Sequence, residues 1–534
     1  MNFRRLPSCR TALPRKAKAS ARLPVGALFL FVLGSVTAGE LRLARPFNHH
    51  AVLQRECTLP IFGTDKPGTS IRVSLANLTR TTTADAEGRW HVRFPPQPAS
   101  LAPLTLIADG TGTVTATNVV IGDVWLISGQ SNADWPLRSA TGGSAAIAAA
   151  TNRLLRYLPM DESPVTTPPA WSAAHLAQLK PGRFFSGEWQ ASSPTTAGAV
   201  SAIGYFFAQH LATNRAVPIG LIDCAVGGTP TESWIPDAAI AANPRLAAMR
   251  SNHLNSPMVA AFVKKRIRQN LAAWEQSGGP SPMPDHPYLP GACWRLGLAE
   301  IAPYAIRGVL WYQGESNADF YEPVEFDNMA AWHTDAFKSL VAGWRHAWGN
   351  DQLPFFTVQL PLMNRPAWPW FRESQAACAE TIPHCALAVA YDLGTSDDVH
   401  PPDKLPVAER LALLARALSY GEKIECQGPA LRQWHVRDAV AIVTFDHVGG
   451  GLISRDDLPL RHFELAGADR IFHPATVTIN GDTLRLVATN VSVPVAVRYA
   501  WSPTGDLNFF NRAGLPAPPF RTDRWPATNP HQKL

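Results

Sequence analysis

The sequence predicts an α/β protein built on a parallel sheet, with β-rich modules before and after it. Three observations carry this. Short, continuously apolar runs recur between Asn118 and Glu425, amphipathic helical patterns separate them, and the flanking stretches alternate with a period of two between turn signals. At 534 residues the chain is long enough for two or three cores.

The first module is expected over residues 39–117. Its alternating runs include Ser70-Ile71-Arg72-Val73-Ser74-Leu75 and Trp90-His91-Val92-Arg93-Phe94, and Asp65-Lys66-Pro67-Gly68 and Ala86-Glu87-Gly88 read as turns. In the central region, residues 118–425, strands are expected at 124–127, 219–224, 308–312, 355–360 and 387–391. Ile203, Phe206, Phe207, His210 and Leu211 fall on one helical face, as do Trp332, Ala336, Phe337, Leu340 and Trp344. Residues 139–200 and 276–292, rich in Ala, Pro, Gly, Ser and Thr, read as long loops over the sheet edge. A β-sandwich-like module is expected over residues 426–534, with a strand at 440–445, a turn at Asn480-Gly481-Asp482 and a last strand at 493–499. Pro494 places that strand at an edge or delays its start.

Composition narrows the function classes. Hydrophobic residues at 46% against charged residues at 17% describe a globular protein with ample core. The formal charge of +6 hints at a nucleic-acid partner, but seven cations, from Arg4 to Arg22, precede the first acidic residue, Glu40. An apolar run, Val25 to Leu33, and the small-residue sequence Ser35-Val36-Thr37-Ala38 follow, which is the layout of a signal peptide over residues 1–38. The run is well short of the ~20 residues a membrane span needs. Cleavage after Ala38 brings the net charge to about −1, which removes the argument for nucleic acid and for a lasting membrane partner. A secreted or periplasmic location is therefore expected. Cys57, Cys224, Cys293, Cys378, Cys385 and Cys426 would remain; no Cys-x-x-Cys occurs, so neither a metal nor a cofactor is called for. His49-His50 lacks a third ligand nearby and reads as a surface pair.

Three separated polar segments carry the chemistry: Gly129-Gln130-Ser131-Asn132, Gln313-Gly314-Glu315-Ser316-Asn317 and Asp397-Asp398-Val399-His400. Each follows a predicted strand, the edge where open α/β sheets bind ligands. A serine nucleophile needs a base within hydrogen-bond reach and a group that orients the base. Ser131 and His400 fit the first two roles. Asp397 fits the third, with Asp398 adjacent to it as the alternative. Donors for a tetrahedral oxyanion are expected from the Ser131 N–H, from Gly227 or Gly228, and from the side-chain amide of Gln313, with Asn317 as the fallback. Glu315 reads as a structural partner within its loop. The Trp-rich segment Trp368-Pro369-Trp370 could stack on sugar rings if exposed.

As a set these segments resemble the SGNH hydrolase superfamily, and within it the sialate O-acetylesterase-like group. The resemblance includes Trp135-Pro136 after the serine turn, Gly227-Gly228-Thr229-Pro230 followed by Trp234, Trp311 to Asn317, and Asp398 to Pro401. It implies a flavodoxin-like parallel sheet, Ser131 as nucleophile, His400 as general base and acid, and an oxyanion hole formed by Ser131, a glycine of the Gly227-Gly228 pair and Gln313. The superfamily spacing points to Asp397, and the group's own Asp-x-His points to Asp398. Ala133-Asp134 and Cys293 to Leu298 depart from the group's usual residues near the active-site loops. The implied activity is removal of acetyl groups from an O-acetylated sugar or glycan. Acetylxylan or another acetylated polysaccharide is an alternative substrate, and a catalytically inactive glycan-binding protein is an alternative function.

Overall fold

The computed structural model describes residues 40–167 and 169–527; the expected signal segment lies outside them. The organising element is a long strand, β1 (Thr113–Gly129). Its first half pairs antiparallel with Ser100–Asp109, and its second half enters a parallel sheet. The boundary expected between residues 117 and 118 therefore falls inside one continuous strand, and among the described residues the merged sheet has eleven strands of mixed direction.

The parallel part comprises β1, β2 (Leu155–Pro159), β3 (Ile219–Ala225), β4 (Gly308–Tyr312), β5 (Phe355–Val358) and β6 (Cys385–Ala388), in the spatial order β2-β3-β1-β4-β5-β6. Four of the five expected central strands lie where the apolar runs placed them, while β6 starts two residues early. The strand that was not expected is β2, in the stretch read as loop. Its apolar run is interrupted by Arg156, whose charge is absorbed by the carbonyl of His50 at 2.9 Å and the Asn118 side chain at 3.1 Å. That tertiary compensation is invisible to a hydropathy pattern.

Neighbours in register share a face of the sheet. Trp125 of β1 lies opposite Gly308 of β4, whose missing side chain leaves room for the indole: a Cβ there would lie 2.5 Å from it. Trp311, three residues on, faces the other side. The helices that frame the site include α1 (Ser131–Asp134), α2 (Ala202–Arg215), α3 (Pro323–Trp348), α4 (Trp368–Thr381) and α5 (Leu405–Leu414). Trp125 meets Phe207 of α2, and Trp311 meets Phe337 and Trp344 of α3, so helices cover both faces. Helix α2 begins at Ser201, whose hydroxyl accepts the Gly204 N–H, and α3 stops at Gly349 in the left-handed conformation. Among the described residues no helix is long and apolar enough to cross a membrane.

The C-terminal region forms two four-stranded antiparallel sheets that share a second core with Val389 and Tyr391. The last expected strand begins late, at Ala496, after Pro494. Trp368 is fully buried and Trp370 packs on Phe326 and Trp501, so this segment belongs to the packing rather than to a sugar-stacking surface. The six cysteines from Cys57 to Cys426 are free thiols.

Asp123, at the entry of β1 into the parallel sheet, is wholly buried. It accepts from Arg55 (2.9 and 3.1 Å), Arg307 (2.8 Å), Tyr420 (3.0 Å) and Gln54 (3.3 Å). Burial alone would raise its pKa, but the two guanidinium groups outweigh it and hold the carboxyl below its ordinary value. Removing one partner of such a buried pair strands the other, at a cost of about 3–5 kcal/mol. Asp123→Ala is expected to lower unfolding free energy by that amount in urea titration. The wild-type contribution should be present above the unfolded aspartate pKa and lost as pH falls through the depressed folded value.

Candidate active site

The serine turn is fixed by a glycine. Gly129 has φ of 137°, and a Cβ on it would lie 2.0 Å from the Tyr312 carbonyl oxygen on β4. Only glycine lets β1 and β4 stay this close while the chain turns into α1. Ser131 thereby sits on the first residue of α1, at the carboxyl edge of the sheet. The His400 Nε2 lies 2.7 Å from the Ser131 Oγ. The His400 ring stacks on Trp135 with centroids 5.2 Å apart and an interplanar angle of 22°. Burial, and then the Lys404 ammonium, push the imidazole below its ordinary pKa of 6.5, against an opposing pull from Asp398.

The acid partner differs from the first expectation. Asp397 is exposed and makes no hydrogen bond, whereas the Asp398 carboxylate accepts the His400 backbone N–H at 2.8 Å. Asp398 is thus the aspartate that faces His400, in a tight local turn that spends its oxygen on the main chain. Among the described residues no carboxylate bonds the imidazole ring.

Gly227 and Gly228 follow β3. The Gly227 carbonyl is held by Tyr288 at 2.8 Å and Thr166 at 2.9 Å, and the Gly228 carbonyl by Ser316 at 2.9 Å. A Cβ on Gly227 would sit 3.9 Å from the Ser131 Cβ. Among the described residues the N–H groups of Ser131 and Gly227 donate to no protein acceptor, which leaves two backbone donors beside the serine. Gly228 has φ of 74°, and a Cβ on it would overlap the Tyr288 hydroxyl, so its role is to shape the turn.

Gln313 and Asn317 are a second correction. Both are buried, and their amides are consumed by each other: Gln313 Nε2 donates to Asn317 Oδ1 at 2.7 Å, with Gln130 and Thr229 as further acceptors. Asn317 donates in turn to Glu232 at 3.0 Å. These residues brace the floor beneath Gln130 rather than offer a free donor to an oxyanion. Burial pushes Glu232 up to about 7, although the Asn317 bond works against it.

The residues that sequence reasoning passed over are Asn132, Trp135 as a ring partner, Lys404, Thr166 and Tyr288. Asn132 Nδ2 donates to Glu315 and to the Val399 carbonyl at 2.9 Å, and its Oδ1 accepts from Lys404 Nζ. Glu315 therefore bridges loops instead of serving only its own. The available signal for Lys404 was its position four residues after His400, at the entrance of α5. His49 and His50 bond Thr117 and Asn118, each at 2.8 Å, away from this constellation.

The overall fold has a known counterpart. A crystal structure of a carbohydrate acetylesterase from Xanthomonas citri is 33% identical and superimposes with a TM-score of 0.74, covering 91% of this chain and 100% of that one. The chain belongs to the sialate O-acetylesterase-like family. The model of the family described as carbohydrate esterase, sialic acid-specific acetylesterase matches residues 293–409. Sialate O-acetylesterases of Homo sapiens and Rattus norvegicus are 28% and 26% identical, over 90% and 93% of this chain and 92% and 97% of theirs. As a member of this family the protein is a carbohydrate O-acetylesterase, and its substrate is an acetylated sugar.

In this sialate O-acetylesterase-like chain Gly129→Ala would push β1 from β4 at the serine turn. It is expected to lower kcat by about 100-fold or more through displacement of Ser131, with a lowered melting temperature. Steady-state kinetics and a thermal melt check both.

Proposed function

We propose that the enzyme works through an acetyl-serine intermediate on Ser131, with His400 as its base and acid. The observation that carries this is the 2.7 Å Ser131–His400 contact beside two unoccupied backbone donors. His400 Nε2 takes the hydroxyl proton as Oγ bonds the acetyl carbon. The carbonyl electron pair moves onto oxygen, where the N–H groups of Ser131 and Gly227 receive it. Collapse breaks the bond to the sugar oxygen, which leaves with the proton from His400. Water, deprotonated by His400, then attacks the acetyl-serine, and acetate leaves as the proton returns to Oγ. Asp398 supports the imidazolium by its charge.

The scaffold we propose is flavodoxin-like. With β2 set aside as an added edge strand, β3-β1-β4-β5-β6 reproduces the doubly wound order 2-1-3-4-5. Export rests on the basic, apolar and small-residue order of residues 1–38.

For the substrate, the family kinship supports an O-acetylated sialic acid. One observation favours a neutral acetylated polysaccharide such as xylan instead. Asp134, three residues after Ser131, feels the charges of Asp223, Glu162 and Asp161, and all four are pushed up, burial first, Glu162 and Asp223 to about 7. An anionic sugar on that side would add to the same crowding of negative charge.

Acetate release from acetylated sialic acid and from acetylated xylan, with Ser131→Ala in parallel, tests the reading. Release from either substrate that is lost in the variant is expected. Glycan binding without release from either would favour a binding protein. Because His400 must be neutral to act and its pKa lies below 6.5, the acid limb of kcat/KM is expected below pH 6.5. A pH–rate profile with a limb above that value would contradict the assignment of the base.

A further inference from the structure

Lys404 is a buried cation that the reaction described above does not use. It is 1% exposed, and its Nζ donates to the Asn132 Oδ1. Its ammonium also lies 5.5 Å from the ring centre of Trp135 and 5.7 Å from that of Tyr312. Trp135 is the ring on which His400 stacks, and Asn132 is the residue whose amide holds the Val399 carbonyl next to His400. Lys404 therefore touches both supports of the imidazole without touching the imidazole itself.

We propose that Lys404 is a positioning residue for the Ser131–His400 pair: it locks Asn132 and Trp135 against the histidine loop, and its charge keeps His400 unprotonated in mildly acidic solution. This rests on the reading of His400 as the catalytic base. The acidic groups facing Lys404 are Glu315, Asp398 and Asp403. The groups facing His400 are Lys404, Asp398 and the Ser131 hydroxyl. Burial pushes Lys404 down to about 7, so it carries its charge in acidic solution. In that range a cation disfavours imidazolium, which lowers the pH at which the base becomes available. A lysine that merely filled space would have no such effect.

The orientation of Asn132 gives the proposal its second half. Both ends of that amide are engaged, the oxygen by Lys404 and the nitrogen by Glu315 and Val399. Loss of the lysine donor removes the constraint that decides which end faces which loop.

The test is the pH profile of kcat/KM for hydrolysis of p-nitrophenyl acetate, an ester that needs no sugar subsite, by wild type, Lys404→Met and Lys404→Arg. Lys404→Met is expected to move the acid limb upward by about half a pH unit or more and to lower kcat with little change in KM. Lys404→Arg, which keeps the charge, should leave the limb near its wild-type position. If Lys404→Met does not fold, Lys404→Gln, a shorter neutral side chain that still carries a donor, is expected to show the same upward move. A folded Lys404→Met or Lys404→Gln enzyme with its limb unmoved overturns the proposal. Wild-type hydrolysis with no histidine-like limb overturns the reading of His400 instead.

Discussion

The side-chain amide of Asn132 is where the catalytic edge of this protein is held together. Its nitrogen reaches the loop after β4 through Glu315 and the loop after β6 through the Val399 carbonyl, while its oxygen receives Lys404 at the start of α5. Asn132 follows Ser131 directly, so Ser131 and His400, the proposed nucleophile and base, are registered to each other through one neighbouring residue. The constraint is stringent because the groups it joins lie inside the protein. Glu315 and Lys404 are both buried, and a buried polar group left without a partner costs about 1–3 kcal/mol. Glu315 is pushed above its ordinary pKa by burial, with the Asn132 bond and the Lys404 charge opposing.

Below that edge the sheet supplies rigidity at two anchor points. Asp123 gathers Arg55, Arg307 and Tyr420 where β1 passes from the N-terminal strands into the parallel sheet. On the other side, the fully buried Arg372 of α4 donates to the Leu360 and Pro361 carbonyls and to those of Ser502 and Pro503. It thus ties the loop after β5 to the C-terminal sheets. Burial pushes its guanidinium down to about 10, and four carbonyl acceptors with the Tyr391 ring at 3.7 Å offset that desolvation. The flanking β regions are in this sense part of the scaffold that holds the site.

Much of this was legible in the chain because the signals were local. Continuous apolar runs marked β3 and β4, the 3.6 period marked α2 and α3, and Pro494 delayed the last strand to Ala496. The Ser131 turn was legible because it directly follows β1, whereas His400 lies in a loop well beyond the end of β6 and only its polar motif marked it. The misreadings share a different cause, the reassignment of polar atoms by tertiary contacts. Arg156 conceals β2 until its carbonyl partners are seen, and the amides of Gln313 and Asn317 look available until they are found bonded to each other. The sequence left Asp397 and Asp398 as alternatives, and a two-residue turn returns the Asp398 carboxylate to the His400 backbone N–H rather than to the ring. Lys404 gave only its position four residues after His400: a single lysine is ordinarily a surface residue, and it is burial beside Trp135 and Tyr312 that marks this one.

The central claim is that Ser131 carries the acetyl group between sugar and water. Acid quenching during turnover of an acetylated sugar, followed by peptide mass spectrometry, tests it most directly. The account predicts one acetyl group on the peptide that contains Ser131, present during turnover and absent once substrate is exhausted. Sustained acetate release with that peptide unmodified at every time point, and with Ser131→Ala still active, would contradict it.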